Sequence, residues 1–176
     1  MDVYFFRHAN AGESLADPKA DEKRPLDQLG VEQSQRMGRI LAALDVKLDA
    51  IISSPLVRAK QTAALSATEL GYTKSVLLEK ALRPDGKLED FVQILRRHSK
   101  STAVMVVGHN PNLSEFVSLL LTDEEDDEVV ELKKGSVAKL EWKPRRSRLH
   151  WILAPRLVQA VEETSTTRSR PKTSRK

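Results

Sequence analysis

The chain has 176 residues, enough for one domain that buries about two-thirds of the surface its unfolded form exposes. Cysteine is absent, which excludes disulfides, thiolate metal sites and a cysteine nucleophile, and no apolar run approaches the ~20 residues of a membrane span. The net charge of +4 sits in the last stretch, TSTTRSRPKTSRK at 164–176, with five Lys or Arg and no acid, so the rest of the chain is near −1 and nucleic-acid binding is not expected.

In chain order, the first strand-like run is DVYFF at 2–6, four of its residues apolar or aromatic. Met37, Ile40, Leu41 and Leu44 then recur at helical spacing. DAIIS at 49–53 and SVLLE at 75–79 read as strands. Leu88, Phe91, Val92 and Leu95 form a second helical stripe, TAVMVVG at 102–108 a strand apolar enough for burial on both faces, and Leu113, Phe116, Val117 and Leu120 a third stripe. The acidic run DEEDD, extended by Glu128, reads as a solvated loop. SVAKLEW at 136–142 and RLHWIL at 148–153 follow with no helix between them. Alternating strands and helices, closing on two adjacent strands, predict an α/β fold whose mostly parallel sheet is flanked by helices and ends in an antiparallel part. The domain is expected to occupy 1–163. The tail at 164–176 is Ser/Thr-rich without apolar periodicity and is expected to be disordered. No basic flank leads a long apolar segment at the N-terminus, and a cytoplasmic protein without a membrane partner is expected.

The strand ends carry the chemistry. DVYFF runs directly into Arg7 and His8. DAIIS is followed by SSPLVRAKQT, where Ser54 reads as a helix cap, Pro55 as the first helical residue, and Arg58 falls in or near the first turn. TAVMVVG is followed by His109, then Asn110 as cap and Pro111 as helix start. Each residue alone has an ordinary reading as the polar end of a strand or helix. In an open α/β sheet, however, ligands collect at the carboxyl ends of strands, beside helix N-termini. If the three strands are neighbours, Arg7, His8, Arg58 and His109 converge on an anion, and guanidinium forks beside imidazoles suit phosphate.

FFRHAN, SSPLVRAKQT and VVGHNP resemble, in order and spacing, the motifs of the histidine phosphatase superfamily, in particular its short branch of phosphohistidine phosphatases of the SixA type. RPLDQLG at 24–30 and KKGSVAKLEW at 133–142 extend the resemblance over nearly the whole chain before the tail. Ala9 stands where many members carry glycine. The resemblance implies a three-layer α/β/α sandwich of the phosphoglycerate mutase-like kind. It also implies His8 as the nucleophile, Arg7, Arg58 and His109 as phosphate clamps, Arg24 at the pocket rim, and neither metal nor cofactor. The implied substrate is phosphohistidine on a signalling or phosphocarrier protein, with a small phosphomonoester as the alternative and a non-catalytic phospho-ligand module as a third possibility. Larger members protonate the leaving oxygen with an acid near the end of the third strand. Glu79 and Asp85 are the carboxylates there, and the short branch implies that neither serves. His98 reads as solvated at a helix end and His150 as a strand-face residue, and neither has metal-ligand spacing to another histidine.

Overall fold

The structure is a computed structural model that describes residues 1–122, 129–144 and 146–168. Six strands form one sheet: β1 (Asp2–Arg7), β2 (Ala50–Ser53), β3 (Leu77–Leu78), β4 (Ala103–Gly108), β5 (Val137–Glu141) and β6 (Arg148–Leu153), in the order β3-β2-β4-β1-β5-β6. The pairs β3-β2, β2-β4 and β4-β1 are parallel, while β1-β5 and β5-β6 are antiparallel, as the two late strands predict.

The apolar run of β1 is continuous because both of its faces are covered. Val3 and Phe5 point to one side, against Phe91, Ile94 and Leu95 of α4 (Leu88–Arg97) and Leu113, Phe116 and Val117 of α5 (Asn112–Thr122). Tyr4 and Phe6 point to the other side, against Met37 and Leu41 of α2 (Gln28–Ala43) and Ala59, Ala63 and Ala67 of α3 (Val57–Leu70). This is the three-layer sandwich. The alanine stripe of α3 lets α2 come close: a Cβ on Gly38 would lie 2.9 Å from the Ser66 carbonyl oxygen, and Ser66 Oγ donates to Ser34 O at 3.1 Å. Enlarging Ala63 to valine would overpack that contact at a cost of about 1–3 kcal/mol.

Several elements differ from expectation, each for a local reason. Helix α3 starts at Val57, two residues after Pro55, because Ser54 Oγ is engaged by His109 Nε2 at 2.9 Å and its only helix-side bond is a 3.3 Å contact from Leu56 N. Helix α5 starts at Asn112, since Asn110 Nδ2 donates to Leu132 O at 3.0 Å and the first helical amide, Leu113 N, reaches back to His109 O. Strand β3 keeps only two of the five expected residues, both exposed at the sheet edge. Helices α1 (Pro18–Glu22) and α6 (Pro155–Arg168) have no apolar stripe that announces them. α6 exposes Leu157 and Val161, packs through Val158, and ties to α2 through the Arg36–Glu162 pair at 3.0 Å. It also runs through Thr164 to Arg168, past the boundary expected at 163, so the first part of the expected disordered tail is helical. Residues 169–176 and the acidic run at 123–128 lie outside the described residues. Among the described residues, no helix is long and apolar enough to cross a membrane.

Candidate active site

Three adjacent strands, β2, β4 and β1, end on the same side of the sheet and deliver the four residues together. His8 follows β1 and its amide donates to Gly108 O, the last residue of β4, at 2.9 Å. His109 is the next residue after β4, and the two imidazole centroids lie 4.9 Å apart. Arg58 is the second residue of α3, which leaves β2 through Ser54. Despite their polarity, His8, Arg58 and His109 are 6%, 5% and 2% exposed. Buried side chains of this kind need partners, and the site supplies only some.

His8 Nδ1 lies 2.8 Å from Ala9 O. The Nδ1–H therefore donates to the carbonyl, and Nε2 keeps its lone pair. The loop holding that carbonyl is fixed in turn: Ala9 N donates to Thr62 Oγ1 at 3.1 Å, and Thr62 Oγ1 donates to Arg58 O at 2.8 Å. Asp27 caps α2 by accepting from Gly30 N and also accepts from Asn10 Nδ2 at 2.5 Å, so RPLDQLG braces the segment after His8. Burial lowers the His8 pKa from 6.5 to about 3; the Ala9 carbonyl opposes this, while the charges of Arg58, Arg7 and Lys134 add to it. Burial likewise takes His109 to about 2, helped by His8, Arg58, Arg83 and Arg7. Both rings are neutral at physiological pH. Burial also lowers Arg7 and Arg58, which stay cationic because guanidinium starts so high.

Among the described residues, Arg7 Nε, Arg58 Nε and His109 Nδ1 are buried with no hydrogen-bond partner. An orphaned buried donor costs about 1–3 kcal/mol, so three together mark a site built for an acceptor that is not part of the chain. Their other polar atoms hold them in place: Arg7 Nη1 donates to Leu132 O at 2.6 Å, Arg58 Nη1 donates to Asp21 O at 2.8 Å, and, with the one N–H of the neutral ring on Nδ1, His109 Nε2 accepts from Ser54 Oγ at 2.9 Å. The arrangement presents two fixed cations and a neutral imidazole lone pair to one anion.

Arg24 does reach this neighbourhood, yet as a strut. Its Nε meets Asp21 Oδ1 at 2.8 Å, and its Nη1 donates to Ala11 O and Gly12 O. Glu79 is tied to Arg97 at 2.5 Å, and the largely exposed Asp85 lies 3.3 Å from Arg83. Neither carboxylate hydrogen-bonds to the two histidines or to Arg58. His98 caps the end of α4 and His150 is exposed, and among the described residues no cluster of three His, Asp or Glu side chains could hold a metal ion. The sequence reading overlooked Asp21, Thr62, Arg83 and Lys134. Of these only Thr62 carried a signal, four residues after Arg58 and hence on the same helix face.

The family model of the histidine phosphatase superfamily (branch 1) matches residues 3–84. An uncharacterised protein of Picosynechococcus sp. is 36% identical over 123 residues, covering 68% of this chain and 73% of its own length. The phosphohistidine phosphatase SixA of Escherichia coli is 28% identical over 127 residues, covering 70% and 76%. Among solved structures, the protein histidine phosphatase SixA complexed with tungstate superposes with a TM-score of 0.79 at 23% identity, covering 90% of this chain and 99% of its own. A SixA-type protein from Agrobacterium tumefaciens gives 0.74 at 22%, covering 88% and 97%. By sequence similarity that spans most of its length, on a fold that agrees, the chain belongs to the histidine phosphatase superfamily.

Proposed function

We propose that the protein is a phosphatase that removes the phosphoryl group from phosphohistidine on another protein through a phosphohistidine on its own His8. The observation that carries this reading is the state of His8: neutral, its Nδ1–H held by the Ala9 carbonyl, and its Nε2 lone pair beside the unpartnered donors of Arg58, Arg7 and His109. That is the form in which imidazole attacks phosphorus. Arg7, Arg58 and His109 bind the equatorial oxygens and neutralise charge as the group transfers, so the protein contributes mainly positioning and electrostatics. Similarity to SixA proteins supports the substrate class.

The leaving group supports it further. A substrate phosphoimidazole protonated on its distal nitrogen gives up its phosphoryl group to His8 Nε2 and departs as neutral imidazole. The P–N bond to His8 forms as the P–N bond to the substrate breaks, and no proton has to move. An alkyl phosphate instead expels an alkoxide and loses the ~10²–10⁴-fold that a placed general acid supplies. Glu79 and Asp85, the carboxylates near the end of β3, are both engaged elsewhere. Water then attacks the phosphohistidine, the P–N bond to His8 breaks with its electron pair returning to Nε2, and inorganic phosphate leaves.

The test is kcat/KM on a phosphohistidine protein, an activated aryl phosphate and a sugar phosphate. The expected order is the order given, with Glu79→Ala and Asp85→Ala costing little on the first. A sugar phosphate that matches phosphohistidine, or an essential role for either carboxylate, would replace this reading with a small-molecule phosphatase.

A further inference from the structure

One carboxylate stands against the site and has no part in the chemistry above. Asp21, on the short helix α1, lies with Oδ2 3.2 Å from Arg58 Nη1, and its backbone carbonyl accepts from the same nitrogen at 2.8 Å. Oδ1 accepts from Leu15 N at 2.9 Å and from Arg24 Nε at 2.8 Å. The Asp21 side chain is 20% exposed and that of Arg58 only 6%, so the carboxylate is the more solvent-accessible partner of the pair. The Leu15 amide, then Arg24 and Arg58, hold it ionised, below the ordinary aspartate range. A carboxylate accepts about four hydrogen bonds, and with three taken one lone pair on Oδ2 remains.

A fixed negative charge beside an anion pocket repels a second negative charge on the substrate and attracts a positive one. It is ill placed for a departing alkoxide or a carboxylate-bearing phosphoester. It is well placed for an imidazole ring carrying N–H opposite its phosphorylated nitrogen. Resting on the phosphohistidine reading, we propose that Asp21 is a specificity-determining residue: its free Oδ2 lone pair accepts the distal N–H of the substrate imidazole and selects phosphoimidazoles over phosphate esters. The pairing holds the substrate ring protonated while His8 Nε2 forms its bond to phosphorus, and the ring leaves with that same N–H. Asp21 takes no proton.

The variant is Asp21→Asn, which keeps a carbonyl oxygen for Leu15 N and Arg24 Nε, removes the charge, and turns an amide NH2 toward Arg58 Nη1 in place of Oδ2. Wild type and variant are compared on phosphoimidazole and on p-nitrophenyl phosphate. The expected result is a loss in kcat/KM on phosphoimidazole about tenfold larger than any loss on the nitrophenyl ester, the scale of one hydrogen bond to a charged group, so the readout is the ratio between the two substrates. A residue that merely holds Arg58 in place would lower both substrates alike, and that outcome, or no change on either, overturns the proposal. Asp21→Ser, shorter but still polar, must shift the ratio in the same direction, which guards against a poorly folded asparagine variant. Wild type that hydrolyses the nitrophenyl ester but not phosphoimidazole would overturn the proposed function itself. Wild type active on both, with an unchanged ratio in the variants, overturns only the role of Asp21.

Discussion

Replacing Gly30 by alanine sets two effects of opposite sign against each other. Gly30 is the third residue of α2, where alanine would ordinarily stabilise a helix by up to about 1 kcal/mol. Here a Cβ would lie 1.9 Å from Asn10 O, 2.8 Å from Asn10 C and 3.0 Å from Asn10 N, all backbone atoms. An acceptable carbon–oxygen approach is about 3.3 Å or more, so helix and loop must separate by roughly 1.4 Å. That motion strains the Asp27 N to Asn10 O bond and the Asp27 bonds to Gly30 N and Asn10 Nδ2. Overpacking against backbone costs about 1–3 kcal/mol and outweighs the helix gain, for an expected net loss of about 1–2 kcal/mol. Asn10 is two residues from His8, and misplacing a reacting group by about 1 Å can cost about 10²-fold in rate. Urea midpoints and kcat on an aryl phosphate measure both effects. A Gly30→Ala protein as stable as wild type, with full turnover, would refute the claim that α2 braces the loop after His8 through this glycine.

His8→Ala is expected to fold and show no turnover, and wild type quenched during turnover to carry an acid-labile, base-stable phosphate on that residue, read by mass spectrometry after mild digestion. Arg58→Ala should lose about 10²–10³-fold in kcat/KM, the ~3–4 kcal/mol typical of a fixed donor on a charge that develops in the transition state. A loss below about tenfold would place Arg58 outside the site. Stability should fall as pH drops below about 6.5, because unfolded histidines take up protons there while His8 and His109 stay neutral until about pH 3 and 2. In that window the unfolded state binds more protons. Above it these two residues contribute no slope, and urea midpoints at about pH 7.5 and about pH 5 should differ less in His8→Ala than in wild type.

The four residues that the fold brings together were legible because each interrupts a pattern. Arg7, His8 and His109 end apolar runs that can only be buried strands, and Arg58 follows Ser-Pro at a helix start. Asp21 left no such trace: α1 buries none of its residues, so no apolar period reveals a helix in that hydrophilic stretch. Ser54 was legible and misleading. Ser-Pro is a sound helix-start signal, yet the hydroxyl goes to His109, a partner 55 residues away that only the sheet brings near. Leu77 and Leu78 read as part of a strand and lie on an exposed edge, since a run of apolar residues cannot say whether a further strand will cover it. α6 escaped notice because it carries no apolar stripe, with Leu157 and Val161 exposed.

The central place of β1 also sets the order in which the protein can assemble during synthesis. β1 leaves the ribosome before β4 and β5, its partners, and its Asp2 meets Ala103 and Glu141. More than a hundred residues must therefore emerge before Val-Tyr-Phe-Phe finds either neighbour. Until then its four apolar and aromatic side chains have no sheet to join, while α2, β2 and α3 are already complete. Closing so long a loop is entropically slow, and an apolar strand held waiting invites pairing with other chains. His8, made well before β4 and β5, thus acquires its surroundings late, so chains cut short before β4 carry His8 without His109 and the neighbouring strand that complete the site.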